Sequence, residues 1–443
     1  MKLFSNGITW FLLVSLTYTL QASASPLEIN EFEARGAAMG GAQTAAVNDY
    51  TAVLYNPGAL TRARGLTTGF GLVQSMPKLT ITPARQPSDQ SKTAIFPEGR
   101  TGLTFGASFP LGEQIQDRVV LGLGIYTPVA HTLRGEMLSP QAPQFYRYQN
   151  RPDRFVGLGA IALRMTEWLS MGIGLQLFAD LVGRVGIDLR LSDRQITGQS
   201  VRVNFPLKLT PTAGLLIGPF HDFRIGLSWK RSTQLKFEIP STLVLDETVA
   251  LEFNVGGVVL YTPETFNLGL AYENASRGTV LSIGTTWARW SNAPDPSLRI
   301  AVDAQGDFLE SLGIEERLDL QGSQAVDLAF RDIWILRAAV EQTLNKRWRL
   351  RSGYVFRPGP APIPTGAYNY LDPASHRISM GLGVGFYPMT HSIHYGVELD
   401  LAYSATYLPK KTIVQQAGAT DPVGDYSAGG TMHGYTITFR RRF

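Results

Sequence analysis

The sequence predicts an all-β fold, a transmembrane antiparallel β-barrel of about fourteen strands with an N-terminal plug in its lumen. Three observations lead there. Apolar and polar residues alternate with period two along most of the chain after Gly65, long connections alternate with short turns, and the stretch from Ser25 to Gly65 shares neither property. The domain reading is a signal peptide over 1–24, a hatch over 25–65 and a barrel over 66–443.

Residues 1–24 carry Lys2, an apolar run from Ile8 to Leu16 and the sequence Ala22-Ser23-Ala24, the pattern of a secretory signal with an A-x-A cleavage site. The mature chain is expected to begin at Ser25. The apolar run falls well short of the ~20 residues a spanning helix needs, so export is expected and a helical anchor is not.

The chain has no cysteine, which excludes a disulfide framework and cysteine-based metal or redox chemistry. Forty-four per cent apolar residues with mean hydropathy near zero fits a barrel that averages lipid-facing and lumen-facing positions. A net charge of +4 is small for 443 residues, and without a basic stripe nucleic-acid binding is unsupported.

The clearest strand signal is Ile393 to Tyr407, with Val397, Leu399, Leu401 and Tyr403 on one face and Glu398, Asp400 and Ser404 on the other. Arg377 to Pro388 sets Ile378, Met380, Leu382 and Phe386 against Ser379, Gly381 and Gly383, and Leu169 to Leu181 repeats the parity. Val201 to Ile217 and Arg224 to Ile239 read as two more continuous segments. Asp153 to Met165 and Val280 to Trp290 alternate poorly and are assigned as strands because the count requires them.

Short turns fall near Gly112 to Asp117, Thr166-Glu167, Gly218 to Asp222, Asn274 to Gly278, Asn345 to Arg347 and Met389 to Ser392. Between them lie long polar, Pro-rich or Gly-rich loops near Pro77 to Glu98, His131 to Pro152, Leu191 to Ser200, Pro240 to Pro263, Ser291 to Ala325, Arg357 to Ser375 and Pro409 to Gly430. Such asymmetry gives an even strand number, about fourteen, with both chain ends on the periplasmic side. The chain closes on Tyr435, Ile437, Phe439, Arg441 and Phe443, a final strand whose apolar face is interrupted at Arg441, a side chain long enough to snorkel.

Moving an apolar molecule through a water-filled pore costs on the order of 25 cal/mol per Å² of apolar surface, so a plugged, partly apolar lumen suits apolar cargo. For an anionic head group the candidate cations are Arg35, Arg62, Arg64, Arg202, Lys208, Lys230 and Lys236, most of them expected to be paired with Glu or Asp. An uncharged hydrocarbon needs none of them. The loops holding Phe145, Tyr146, Tyr148 and Ile239 to Leu245 are the expected external capture surface. His131, His221, His376, His391, His394 and His433 form no nucleophile–base–orienter set on one strand face, so no enzyme, cofactor or metal site is expected.

Asn30-Glu31-Phe32 and Asn56-Pro57-Gly58-Ala59-Leu60 resemble the start and the Asn-Pro-Ala hatch motif of the FadL/TodX family of outer-membrane channels for long-chain fatty acids and hydrocarbons, with Gly58 in place of the usual alanine. Trp229-Lys230-Arg231-Ser232-Thr233, Thr262 to Leu270, Trp287-Ala288-Arg289-Trp290-Ser291, and Ser352-Gly353-Tyr354 with Pro360, Pro362, Pro364 and Asp372 to Arg377 are similar to further family segments, in order, across almost the whole mature chain.

The resemblance implies a monomeric fourteen-stranded barrel in the Gram-negative outer membrane, among its lipid and lipopolysaccharide. It also implies a moving hatch and lateral exit through a kink in the third strand. Gly122, Gly124 and Pro128 are the candidate gate, because Pro128 has no ladder donor; the glycines equally suit close approach of plug side chains. Asn56-Pro57-Gly58 is turn chemistry, and its role as a hinge rests on the resemblance. The implied function is passive uptake of hydrophobic compounds, long-chain fatty acids first and aromatic or aliphatic hydrocarbons second. The alternative is a non-specific porin or surface-adhesion barrel.

Overall fold

The computed structural model describes residues 32–63, 65–83, 99–112, 118–129, 133–134, 142–148, 153–179, 181–190, 195–204, 206–245, 249–296, 299–305, 327–345, 347–364, 368–386, 396–414 and 424–443. The signal region, Asn30, Glu31 and Arg64 lie outside them.

Fourteen strands form a closed barrel: β1 (Thr67–Pro83), β2 (Arg100–Pro110), β3 (Val119–Pro128), β4 (Val156–Arg164), β5 (Leu169–Ala179), β6 (Leu207–Phe220), β7 (Phe223–Lys230), β8 (Thr265–Asn274), β9 (Thr279–Ala288), β10 (Ile333–Thr343), β11 (Trp348–Arg357), β12 (Ser375–Phe386), β13 (Gly396–Ile413) and β14 (Tyr426–Arg442). Each pairs antiparallel with its neighbours, and β14 closes on β1 from Thr67↔Arg442 to Pro83↔Tyr426. The two segments that alternate poorly are β4 and β9.

The alternation resolves as apolar-out and polar-in. Ile378 and Met380 are 54% and 59% exposed while Ser379 between them is fully buried, and Asp400, Ser404, Thr436 and Thr438 are likewise interior. A soluble sheet buries the opposite set, so this pattern requires lipid outside. Phe266, Trp287 and Trp334 stack across β8, β9 and β10 at 5.5 and 6.2 Å, an aromatic row at the membrane boundary nearest the long connections. At the other end Arg441 lies over the Phe443 ring at 4.3 Å, which accounts for a cation on the outer face of the last strand.

Strands β1, β13 and β14 run 17, 18 and 17 residues. At ~3.3 Å per residue they are nearly twice as long as the ~30 Å hydrocarbon core is thick. Their upper parts therefore rise past the membrane as a wall. On its inner side Leu79, Ile81, Leu408, Ile413 and Tyr426 pack with Phe145, Tyr148 and Leu371. Tyr146 is buried in an adjacent cluster with Tyr261, Trp290, Phe330 and Tyr370. Phe145, Tyr146 and Tyr148 are thus the core of a roof over the lumen, not an exposed capture surface, because the wall and the loop after β11 cover them.

Three of the long connections supply a five-stranded sheet outside the barrel, ordered Gln195–Asn204, Leu181–Arg190, Thr233–Leu245, Val249–Thr262 and Arg299–Gln305. Val201 to Ile217 and Arg224 to Ile239 are therefore not continuous barrel segments. Pro206, lacking a ladder donor, separates the external strand from β6, and Arg231-Ser232 breaks the chain after β7.

Inside the barrel lie two short helices, α1 (Ala34–Ala38) and α2 (Ala52–Tyr55), and a 3-10 helix, Pro57–Arg62. Helices this short do not persist alone. Caps and packing hold them: the Glu33 carboxylate accepts from the Arg35 and Gly36 amides at 2.8 and 2.6 Å, and the Asn56 side-chain oxygen accepts from the Gly58 amide at 3.1 Å, with Pro57 at the first helical position.

Candidate functional site

The hatch is fitted to the barrel wall through small residues. Phe32, Val47, Tyr50, Val53 and Leu60 are buried against Val120, Tyr126, Leu158, Phe178 and Leu216. A Cβ on Gly58 would stand 2.7 Å from the Gly214 carbonyl oxygen, so the hatch turn seats directly on the β6 backbone. This is the structural use of glycine where the family motif has alanine. The Asn56 amide adds hydrogen bonds to the carbonyls of Thr44 and Leu215 at 2.7 and 2.8 Å, and the Thr61 hydroxyl meets that of Ser170 at 2.8 Å.

Two cavities are stacked along the same strands, one on each side of this segment. The upper, about 210 Å³, touches Gln176 and Phe178 on β5, Thr212 on β6, Ser228 and Lys230 on β7, Asn267 on β8, and Tyr55 and Pro57 of the hatch. The lower, about 550 Å³ and facing the short turns, touches Ser170 on β5, Leu216 on β6, Arg224 on β7, Glu273 on β8, and Thr61 and Arg62. Pro57–Arg62 is the partition. The upper cavity has apolar walls at Leu54, Val156, Leu158, Phe178, Trp290 and Ile335, and cationic side chains at Arg147, Arg154, Lys230, Arg337 and Arg357. Among the described residues no carboxylate lines it. Each cation is engaged within the protein, Arg357 by Asp372 at 2.6 Å.

A buried ion network ties the hatch to the wall. Arg35 pairs with Glu341 on β10 at 2.8 Å, and Arg351 on β11 bridges Glu341 and Asp400 at 2.6 Å each. Arg440 on β14 bonds Asp49 of the hatch and Glu398, and reaches Asp400 at 3.2 Å. A second anchor joins Arg62 to Glu273 at 2.7 Å and to the carbonyls of Ala45 and Val47. Burial lowers the Arg62 guanidinium to about 10, Glu273 opposing.

Glu33 sits in this network. Burial, then the Asp49 carboxylate, push it up to about 7 from 4.5, against the pull of Arg440 and Arg35. For Asp49, burial also disfavours the charge, but Arg440 and Arg35 outweigh it and hold it low. A raised carboxyl binds its proton more tightly in the folded state, so its contribution is complete below about pH 4.5 and is lost as pH rises through about 7. With trypsin activity normalised at each pH to an unfolded substrate, the hatch is expected to resist cleavage better at pH 5 than at pH 8. Glu33→Gln, which keeps a capping oxygen, is expected to flatten that difference; an unchanged pH dependence in the variant would assign it elsewhere.

The residues singled out in the sequence separate into groups. Phe32, Asn56, Pro57 and Gly58 are buried in the hatch. Arg35 and Arg62 are consumed in hatch-to-wall ion pairs, and Lys208 donates to the Gln234 carbonyl. Among the described residues, Lys230 is the one of these cations that lines the upper cavity. Arg202 and Lys236 lie on strands of the external sheet, outside the lumen. Gly122 faces Val53 and Leu60, and a Cβ added at Gly124 would stand 3.1 Å from the Phe32 ring.

Around those glycines the ladders of β3 with β2 and β4 run without a register shift. The irregularity comes at Pro128. The β3–β4 ladder ends at Tyr126↔Val156; its continuation would set Pro128 opposite Arg154, yet Arg154 pairs with Leu133. Arg147, Arg154, Arg337 and Arg357 were missed as cavity residues, although Arg337 shares lumenal parity with Glu341 on β10, a readable signal.

The profile of the family described as "Outer membrane protein transport protein (OMPP1/FadL/TodX)" matches residues 15–443. Alkane uptake protein A of Marinobacter nauticus is 22% identical over 422 residues, 89% of this chain and 86% of that protein. The fold is similar to that of a Pseudomonas aeruginosa FadL homologue (TM-score 0.58, 12% identity, 96% of this chain and 99% of that one). It is also similar to the P. putida toluene transporter TodX (TM-score 0.56, 13% identity, 93% and 98%). With a plugged fourteen-stranded barrel and a profile match over nearly its whole length, the chain belongs to the OMPP1/FadL/TodX family of outer-membrane transport proteins.

Proposed function

We propose that this chain is a channel for passive uptake of hydrophobic compounds across the Gram-negative outer membrane, with long-chain fatty acids as its first cargo. The observation that carries this reading is the upper cavity, where apolar walls and five cationic residues, Arg147, Arg154, Lys230, Arg337 and Arg357, meet with no lining carboxylate among the described residues. That combination suits an apolar tail with an anionic head. The prior engagement of each cation, and the likeness to an alkane uptake protein, support hydrocarbons as the second cargo. A non-specific porin is disfavoured by the hatch filling the lumen.

Charge-assisted hydrogen bonds contribute about 1.5–3 kcal/mol. Lys230→Gln combined with Arg337→Gln is therefore expected to weaken palmitate binding about tenfold or more while leaving hexadecane binding unchanged. Equal loss of both ligands, or of neither, would count against the fatty-acid reading.

For exit we propose a lateral path between β3 and β4, with Pro128 as its outer edge and the hatch withdrawing from Gly122 and Gly124. The register break beyond Tyr126↔Val156, beside the cavity residue Arg154, supports it. Pro128→Val restores a ladder donor. It is expected to slow fatty-acid uptake severalfold at unchanged barrel stability; full-rate uptake by a well-folded variant would move the exit elsewhere.

A further inference from the structure

The lower cavity is unlike the upper one in position and charge, and nothing in the uptake path described above uses it. It lies at the short-turn, periplasmic end of the barrel and is lined by Arg62, Arg164, Arg224 and Arg442 against Glu167 and Glu273. Glu273 is shared by Arg62 at 2.7 Å and by Arg224, and Arg164 donates to the Thr61 carbonyl of the hatch. Arg442, half-buried on the last strand, makes no side-chain hydrogen bond or ion pair among the described residues. Four guanidinium groups against two carboxylates leave this cavity with a surplus of positive charge, and one of the four has its donors unspent.

We propose that this cavity is a periplasm-facing binding site for a small oxyanion, a carboxylate or a phosphate, with Arg442 and Arg224 as its principal donors. A planar guanidinium presents paired N–H groups that match either anion in two-pronged fashion. The cavity volume of about 550 Å³ admits such a group with its hydration or with a short chain attached. The anion has two possible sources. One is the head group of a molecule passing the hatch, since only Pro57–Arg62 separates the two cavities; the other is free anion or a phosphorylated head group on the periplasmic side.

The site is independent of the cargo reading and is tested without cargo transport. Full-length protein in an uncharged detergent is titrated calorimetrically with sodium phosphate, sodium hexanoate and hexanol, in parallel with Arg442→Gln, Arg224→Gln and, as an upper-cavity control, Lys230→Gln. Loss of one charge-assisted donor is expected to weaken anion binding about tenfold in the first two variants and to leave the phosphate isotherm of the third unchanged. Binding of hexanoate and not of phosphate, weakened by both arginine variants, supports the site with cargo carboxylate as its source, and phosphate binding weakened by both supports it with the free anion or a phosphorylated head group as its source. Equal affinity in the wild type and both arginine variants overturns the proposal, as does hexanol binding as tightly as hexanoate. Arg224→Gln keeps the test decisive if Arg442→Gln, next to the chain end, fails to assemble.

Discussion

Arg440→Met is expected to destabilise the plugged barrel by about 3–5 kcal/mol, the cost of leaving buried carboxylates without their counter-charge. Arg440 is 3% exposed and holds Asp49, Glu398 and Asp400 together, so methionine keeps the stem of the side chain and removes all three contacts at once. Arg349 makes a natural comparison: it is more exposed and pairs with Glu398 at 2.8 Å, so Arg349→Met is expected to cost well under half as much. Thermal unfolding followed by the shift between compact and unfolded bands on a gel measures both. Because the cost lies in stranded carboxylates, adding Glu398→Gln and Asp400→Asn to Arg440→Met is expected to recover part of it. Equal losses for Arg440→Met and Arg349→Met would mean that the network contributes little to holding hatch and wall together.

Much of the barrel was readable from two periodicities, the period-two alternation along strands and the alternation of short and long connections between them. The second rescued β4 and β9, whose own patterns are weak. The same period misled at Leu235 and Phe237, because an amphipathic sheet outside the membrane alternates as a barrel strand does, and nothing local in the sequence marks where lipid ends. Only the register, with Thr233 opposite Thr262 in place of a barrel neighbour, separates the two.

The candidate site was legible in part for a related reason. Asn56-Pro57-Gly58 reads as a turn from its own residues, but its seat on Gly214 depends on chain more than 150 residues away. Phe145, Tyr146 and Tyr148 sit in a polar stretch and looked exposed; the cover comes from Leu371, Leu408, Tyr426 and Phe330, which are distant in sequence. The lumenal charges were more accessible than the sequence reading made them. Arg337, Glu341, Arg351, Asp400 and Arg440 all fall on the parity opposite an apolar face, and a tally of charges by parity would have placed them together inside the barrel.

The proposed uptake requires the segment Asn56–Arg62, which separates the two cavities, to move. The Thr61 and Ser170 hydroxyl oxygens are 2.8 Å apart, one on the hatch and one on β5, and the chain has no cysteine of its own. Thr61→Cys with Ser170→Cys therefore sets two sulfurs near the ~2.0 Å of a disulfide with no competing thiol. Uptake of a radiolabelled long-chain fatty acid by cells carrying this double variant, oxidised and then reduced, is the most direct measurement. The expected result is uptake at the channel-free background when the bond is closed, and recovery to the wild-type rate when it is reduced. Undiminished uptake through a hatch shown to be fully crosslinked would contradict the account and leave Asn56–Arg62 a fixed stopper.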